Sequence, residues 1–203
     1  MVGGLVLEAG AWWLVAFRRR DVWRVTVPAL VAMGAAAILV GPPAWTPDAG
    51  PAAAVAAGAA SGAALYVATR VFVRVVAPWE TFRRHSMGMY LRQGRRSLAE
   101  ALVLSVPLTV LGEEIFWRGF FQPRLATSLE GAALAALLTW TAYVAANLPS
   151  ANLAIVAGAV VGGGAWTALG WWCGGALAPL LSHAVWTSLM LSFPVVRVEE
   201  VPG

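Results

Sequence analysis

The sequence predicts an all-α polytopic membrane helix bundle, with about six transmembrane helices and one interfacial amphipathic segment. Three observations carry that expectation. Hydrophobic residues make up 60% of the 203 and charged residues only 12%, at a mean hydropathy of +0.73. Soluble domains run near half apolar and a quarter charged, so these few charges cannot cover a water-facing surface. The apolar residues fall in successive stretches of about 20, the length that crosses a bilayer core. All 14 basic residues are Arg, and twelve of them lie in Arg18 to Arg24, Arg70 to Arg96 and at Arg197, flanking apolar stretches as topology-setting charges do. This clustering explains the net charge of +4 without a nucleic-acid partner. A single Cys173 cannot form an internal disulfide, and no Cys/His finger spacing is present, so a secreted disulfide scaffold is excluded as well.

Taken in order, Met1 to Phe17 is apolar but short and interrupted by Glu8. It lacks the basic start and small-residue cleavage site of a signal peptide, and is expected to be an interfacial lead-in. The first span covers about Val25 to Val40 and stops at Gly41-Pro42-Pro43. The second runs from Pro51 to about Val76, with Arg70 and Arg74 on one face of its end, where long side chains snorkel to the interface. Pro78 to Glu100 is basic and dotted with Trp, Tyr and Met, as an interfacial amphipathic helix is; His85 within it is expected to be solvated. The third span begins near Leu98, the fourth covers about Leu129 to Leu148, the fifth Asn152 to Leu169, and the sixth follows Trp171-Trp172 to about Val196. The expected organisation is an N-terminal hairpin and basic loop over 1–97, a core over 98–196, and a short tail over 197–203. Gly158/Gly162 and Gly170/Gly174 have the spacing that lets helices approach closely.

The third span carries Glu113, Glu114 and Arg118 inside an apolar helix. Each charge at bilayer depth costs about 2.5 to 3.5 kcal/mol even on a lenient scale, so three together need compensation. Glu114 and Arg118 are one helical turn apart and form a natural internal ion pair. Glu113, rotated by about 100°, is left to point into the bundle as a general base; the competing reading is a salt-bridged plug that only fixes helix packing. On the sixth span His183 and Thr187 project to one side, again one turn apart. A His hydrogen-bonded to a neighbouring helix is the plainer alternative for the first of these. Asn147 ends the fourth span one turn after Tyr143, where it either seeks partners on adjacent helices or caps its own. Cys173 has no charge nearby in sequence to activate it and is expected to be a small packing residue.

Glu113-Glu114-x-x-x-Arg118-Gly119 resembles the EExxxR signature of the CAAX protease and bacteriocin-processing (CPBP, or Abi) family of intramembrane endopeptidases, related to the Ras-converting CAAX endopeptidase. The family's second motif, an aromatic and then a His four positions on, aligns with Tyr143 to Asn147. The third, a His and then usually an Asn, aligns with His183 to Thr187. The resemblance covers about Leu98 to Phe193. It implies candidate catalytic residues Glu113, Glu114, Asn147, His183 and Thr187, with Glu113 as the base that activates a water, His183 and Thr187 as oxyanion donors, and Glu114 with Arg118 as a structural pair. Two positions depart from the pattern: Asn147 stands where the family has His, and Thr187 where it has Asn. Asn147 can orient a water but cannot take its proton, which leaves a glutamate-only base.

No cofactor is expected. The family is often named as metalloproteases, but one His with carboxylates partly occupied by Arg118 makes a poor zinc set. The expected function is endopeptidase cleavage of a membrane-associated or lipidated peptide, with the lipid bilayer as the other partner and no nucleic acid. A catalytically inactive relative acting as a membrane chaperone, immunity or assembly factor is the alternative that Asn147 favours. A small proton-relay transporter is disfavoured because the spans show no inverted repeat. The composition reflects a GC-rich genome; the expected location is a bacterial plasma membrane, and the arginine partition places both termini on the cytoplasmic side.

Overall fold

The computed structural model describes residues 1–196 apart from 47, 93, 95 and 130; Arg197, the tail over 197–203 and Arg95 of the basic stretch lie outside the described residues. The described secondary structure is helical throughout. Helix α1 is Val2–Phe17, α2 Val22–Val40, α3 Pro51–Val75 and α4 Glu80–Leu91. A segmented helix follows, made of α5 (Leu98–Leu104), a π-helical segment Ser105–Val110, α6 (Leu111–Glu114), a second π-helical segment Ile115–Phe121 and α7 (Gln122–Leu129). Then come α8 (Ala132–Asn147), a 3-10 turn Leu148–Ser150, α9 (Leu153–Cys173) and α10 (Leu177–Ser192).

Four of these, α2, α3, α8 with its terminal turn, and α9, are long and apolar enough to cross a membrane, while α1 and α10 are shorter apolar helices. Their outward faces carry large exposed apolar side chains, among them Leu39, Val75 and Val161. An apolar exterior on that scale belongs against lipid rather than water. The chain is an integral membrane protein built as a helix bundle.

Local chemistry sets the ends of the elements. Asp21 caps α2 by accepting from the Arg24 N–H at 2.9 Å. Pro51 opens α3, where a missing N–H costs nothing. Gly174, at a φ of +70°, closes α9 in the left-handed conformation, so that helix runs past Leu169 and takes in Trp171 and Trp172. Helix α4 is amphipathic as expected, with Glu80 paired to Arg83 at 2.8 Å on its exposed side. His85, however, is half-buried rather than solvated. Its Nδ1 accepts from the Leu153 N–H at 2.9 Å and its carbonyl from the Asn152 amide at 3.1 Å, so it ties α4 to the open start of α9.

Close helix approach falls on glycines other than those singled out by spacing. Cβ atoms added at Gly58 and Gly62 of α3 would lie 2.5 Å from the Ala178 and Ser182 carbonyl oxygens of α10. In α9, by contrast, Gly162 and Gly170 make room for side chains, Trp166 and the Arg118 stem respectively, not for a second backbone. A second crossing brings α2 onto α6: a Cβ at Gly34 would meet the Gly112 Cα at 2.8 Å, and one at Gly112 would collide with the Leu30 carbonyl. Gly112→Ala is therefore expected to lower stability by about 1 to 3 kcal/mol, the usual cost of overpacking against backbone. Thermal unfolding in detergent measures it, and an unchanged midpoint would mean that α2 does not seat on α6.

Met1 to Phe17, expected as a lead-in, holds helix α1, which packs one face against α2 and α8, with Glu8 on that face 1% exposed. A lone carboxylate in an apolar helix seeks partners inside the protein, and these partners draw α1 inward.

Candidate active site

The segmented helix positions the acidic pair. Its start is fixed by a capping box in which the Ser97 hydroxyl accepts from the Glu100 N–H at 3.2 Å and the Glu100 carboxylate from the Ser97 N–H at 2.7 Å. Pro107, which has no N–H to give, lies in the first π-helical segment, and the second follows directly after Glu114. Wide turns of this kind interrupt the regular side-chain rotation of an α-helix and recur at functional sites. The short α6 between them carries Glu113 and Glu114, both buried.

Arg118 is wholly buried and spends its donors on two helices. Nη1 donates to Glu114 Oε1 at 3.1 Å, and Nη2 donates to the Gly163 carbonyl at 3.0 Å and the Thr167 hydroxyl at 3.1 Å. The guanidinium also stands over the Tyr143 ring, 4.5 Å from its centroid, in a cation–π contact shielded from water. One turn on, Gln122 donates to the Thr167 carbonyl at 3.1 Å, so Arg118 and Gln122 together pin α9 to the segmented helix. Gly163 permits this, since a Cβ there would meet the Tyr143 ring at 2.6 Å.

His183 comes to the same carboxylate from α10. Its Nδ1 lies 2.9 Å from Glu114 Oε1 and 4.0 Å from Glu113 Oε2. Glu114 is paired with Arg118 and can only accept, so Nδ1 carries the hydrogen and Nε2 is the nitrogen left for another partner. The imidazole is stacked on Trp166, with ring centroids 3.6 Å apart and planes at 15°, which fixes its plane as firmly as the carboxylate fixes its edge.

Asn147 approaches from the end of α8, but its nearest acid is not Glu113. The amide nitrogen donates to Glu8 Oε1 at 2.9 Å and to the Tyr143 carbonyl at 3.0 Å. Glu8 Oε2 in turn accepts from the Trp117 indole N–H at 2.8 Å. Glu8 is thus a member of the constellation that sequence reasoning placed outside it. The available signal was the cost argument already applied to Glu113: an acid in the middle of a 16-residue apolar helix needs a partner.

Glu113, Asn147, His183 and Thr187 all line one cavity of about 260 Å³, together with Tyr143 and Trp186. Of the residues expected at the site, Glu113, Asn147, His183 and Thr187 thus share a chamber, while Glu114 and Arg118 sit behind it. Arg92, just past α4, also lines the cavity; its Nη1 is buried with no hydrogen-bond partner among the described residues, and burial pulls the guanidinium below its usual range. Cys173 is buried with its thiol directed to the Gly175 carbonyl, a packing position remote from this chamber.

The donor set does not fit a zinc ion. His183 Nδ1 and Glu114 Oε1 are committed to each other and to Arg118, Asn147 supplies an amide in place of an imidazole, and no three His, Cys, Asp or Glu side chains are grouped to hold a metal among the described residues. What the arrangement can do is hold a water between a carboxyl group and polar donors in a largely apolar cavity, a setting that strengthens acid–base chemistry and oxyanion stabilisation.

Residues 95–189 match the family model described as type II CAAX prenyl endopeptidase Rce1-like. No curated protein and no solved structure matches the chain.

Proposed function

We propose, on the premise that the chain belongs to the Rce1-like CAAX endopeptidase family through residues 95–189, that it is an intramembrane endopeptidase acting on a membrane-associated or lipidated peptide. The observation that carries the reading is the convergence of Glu113, His183 and Thr187 on one cavity, with Glu114 and Arg118 fixed behind them. Glu113 takes a proton from a water whose oxygen attacks the peptide carbonyl. The oxyanion that forms is met by the Thr187 hydroxyl and by His183 Nε2, which donates when the imidazole carries both protons. Glu114 accepts from Nδ1 and so supports that state and aims the ring. The tetrahedral intermediate then expels the amine, which receives a proton from Glu113. The mechanism uses no metal. Proposed location and topology are a bacterial plasma membrane, with the Arg18 cluster, the Arg83 to Arg96 loop and the C-terminal end on the cytoplasmic side.

A second reading, an inactive relative that binds such a segment as a chaperone, immunity or assembly factor, is favoured by one observation, the amide at position 147. Cleavage of a membrane-anchored peptide series by the purified protein in detergent separates the two. Product is expected from the parent, and chelators should leave the rate unchanged. Asn147→His should raise cleavage, because the imidazole keeps one N–H for Glu8 and adds a proton acceptor at the cavity wall. If the parent is inert across the series and Asn147→His gains nothing, the binding-factor reading takes its place.

A further inference from the structure

We propose that Arg92 holds the C-terminal carboxylate of the substrate peptide, so that the chain end is seated at one part of the cavity while the bond to be cut is presented to Glu113 at another. The proposal rests on the endopeptidase reading and deepens it by naming the end of the peptide that enters. Neighbouring arginines have acidic partners: Arg83 and Arg84 pair with Glu80 at 2.8 and 3.8 Å, and Arg96 with Asp21 at 3.6 Å. Arg92 forms no ion pair among the described residues, and its Nη1 is buried without a hydrogen-bond partner. Its main chain, by contrast, is held on two sides. The N–H donates to the Gly88 carbonyl at 3.2 Å, and the carbonyl accepts from the Trp23 indole of α2 at 3.2 Å. The backbone is thus fixed at the cavity wall, and the guanidinium is left for a ligand.

A buried polar atom with no partner in a native fold needs an explanation. Among the described residues, such atoms on Glu114, Arg118 and Gln122 belong to the network behind the cavity. The two on residues that line it, Arg92 Nη1 and Trp166 Nε1, are both donors. A guanidinium and an indole N–H can only donate, so the ligand that suits this wall offers acceptors, one of them charged. Glu113 is the one acid on the wall among the described residues, and it forms no ion pair with Arg92. Opposite charges therefore stand apart within one chamber, which orients an anionic chain end toward Arg92 and away from Glu113. A carboxylate matches the planar fork of the guanidinium. The main-chain carbonyls that precede it supply acceptors for Trp166, whose ring is stacked on His183 beside the acidic pair. A phospholipid phosphate has the same sign of charge but brings two acyl chains. The cavity, at about 260 Å³, is smaller than the roughly 300 to 1,000 Å³ of pockets for drug-sized ligands, which leaves room for a short peptide end and not for a diacyl lipid. No bond changes at Arg92; it determines which peptides bind and where along them Glu113 acts.

Two measurements on the full chain in detergent test the assignment. In the first, a membrane-anchored peptide is made as the free acid and as the C-terminal amide, and its affinity for the Glu113→Gln protein, which binds without turnover, is read by fluorescence anisotropy. The acid is expected to bind about tenfold or more tighter than the amide, as a charge-assisted hydrogen bond to a buried group implies. The preference should vanish when Arg92→Gln is added and return in part with Arg92→Lys. Equal affinity of acid and amide, or no binding of either across the peptide series, overturns the assignment. Phosphatidylglycerol added to the micelles distinguishes the two anions: displacement of the acid by it and not by phosphatidylcholine would give Arg92 to a lipid phosphate and overturn the carboxylate.

The second measurement uses cleavage. Amidation of the peptide end, or Arg92→Gln, is expected to raise KM about tenfold with kcat within about twofold, and the two changes together should add nothing further. A role of Arg92 in the fold alone would raise KM for acid and amide alike. Cleavage of both forms by the parent at equal kcat/KM overturns the carboxylate site and leaves the endopeptidase reading standing. An acid preference in binding with no cleavage by the parent retains the site and removes the endopeptidase reading.

Discussion

Glu113→Gln is expected to abolish peptide cleavage while leaving the protein in the membrane at parental yield. A positioned general base contributes about 10² to 10⁴ in rate, and no other group on the cavity wall duplicates Glu113 in this sense. His183 Nδ1 is held by Glu114, Asn147 is an amide, and Glu8 does not reach the cavity lining. The substitution keeps size and hydrogen-bonding capacity, and it removes a charge that the bundle must otherwise compensate, so folding should not suffer. Single-turnover cleavage together with membrane yield distinguishes loss of chemistry from loss of fold. Retention of more than a tenth of the parental rate would assign the base elsewhere.

Arg118→Ala should behave in the opposite way, with the dominant loss in stability. Removing one partner of a buried pair leaves an uncompensated charge, here Glu114, and typically costs about 3 to 5 kcal/mol. Arg118 carries more than the pair. Its other nitrogen satisfies the Gly163 carbonyl and the Thr167 hydroxyl, and its face lies on Tyr143, so α8, α9 and α10 all lose an anchor, the last through Glu114 and His183. Lys should not rescue it, because an ammonium lacks the planar fork that reaches both helices at once. Unfolding of the purified protein in mixed detergent micelles measures the effect. Arg118→Ala with a midpoint equal to that of Glu113→Gln would mean that the Glu114 pair contributes nothing to the bundle.

The sequence made much of this arrangement legible, for reasons tied to helical spacing. Glu114 with Arg118 and His183 with Thr187 are one turn apart, and a turn is geometry that the chain states locally. Apolar length and arginine clusters likewise announce the bundle without reference to how its helices meet. The contacts that escaped are those between distant positions. Asn147 was read against Glu113 because the family's motifs align that way, yet its amide goes to Glu8, 139 positions earlier. Nothing local distinguishes an acid that enters a core from one that faces headgroups; the choice depends on Trp117 and Asn147 presenting donors in the right place. The place of His85 is hidden for the same reason, since its ring accepts from the first N–H of a helix 68 positions on. Among the glycines that allow backbone contact, Gly58 and Gly62 share the four-residue spacing of the pairs on α9, whereas Gly34 and Gly112 follow from the crossing of α2 and α6, which no spacing count supplies.

The origin of the site's parts along the chain has a consequence for its timing. Glu8 comes before the acidic pair and Asn147 along the chain, and His183 comes after them. Until α10 is released and inserted, Glu114 and Arg118 form a closed pair with no imidazole beside them, and the cavity lacks the wall that carries Thr187. A bundle assembled in this order completes the proposed site only once α10 is in place, after the segments that precede it have already been made.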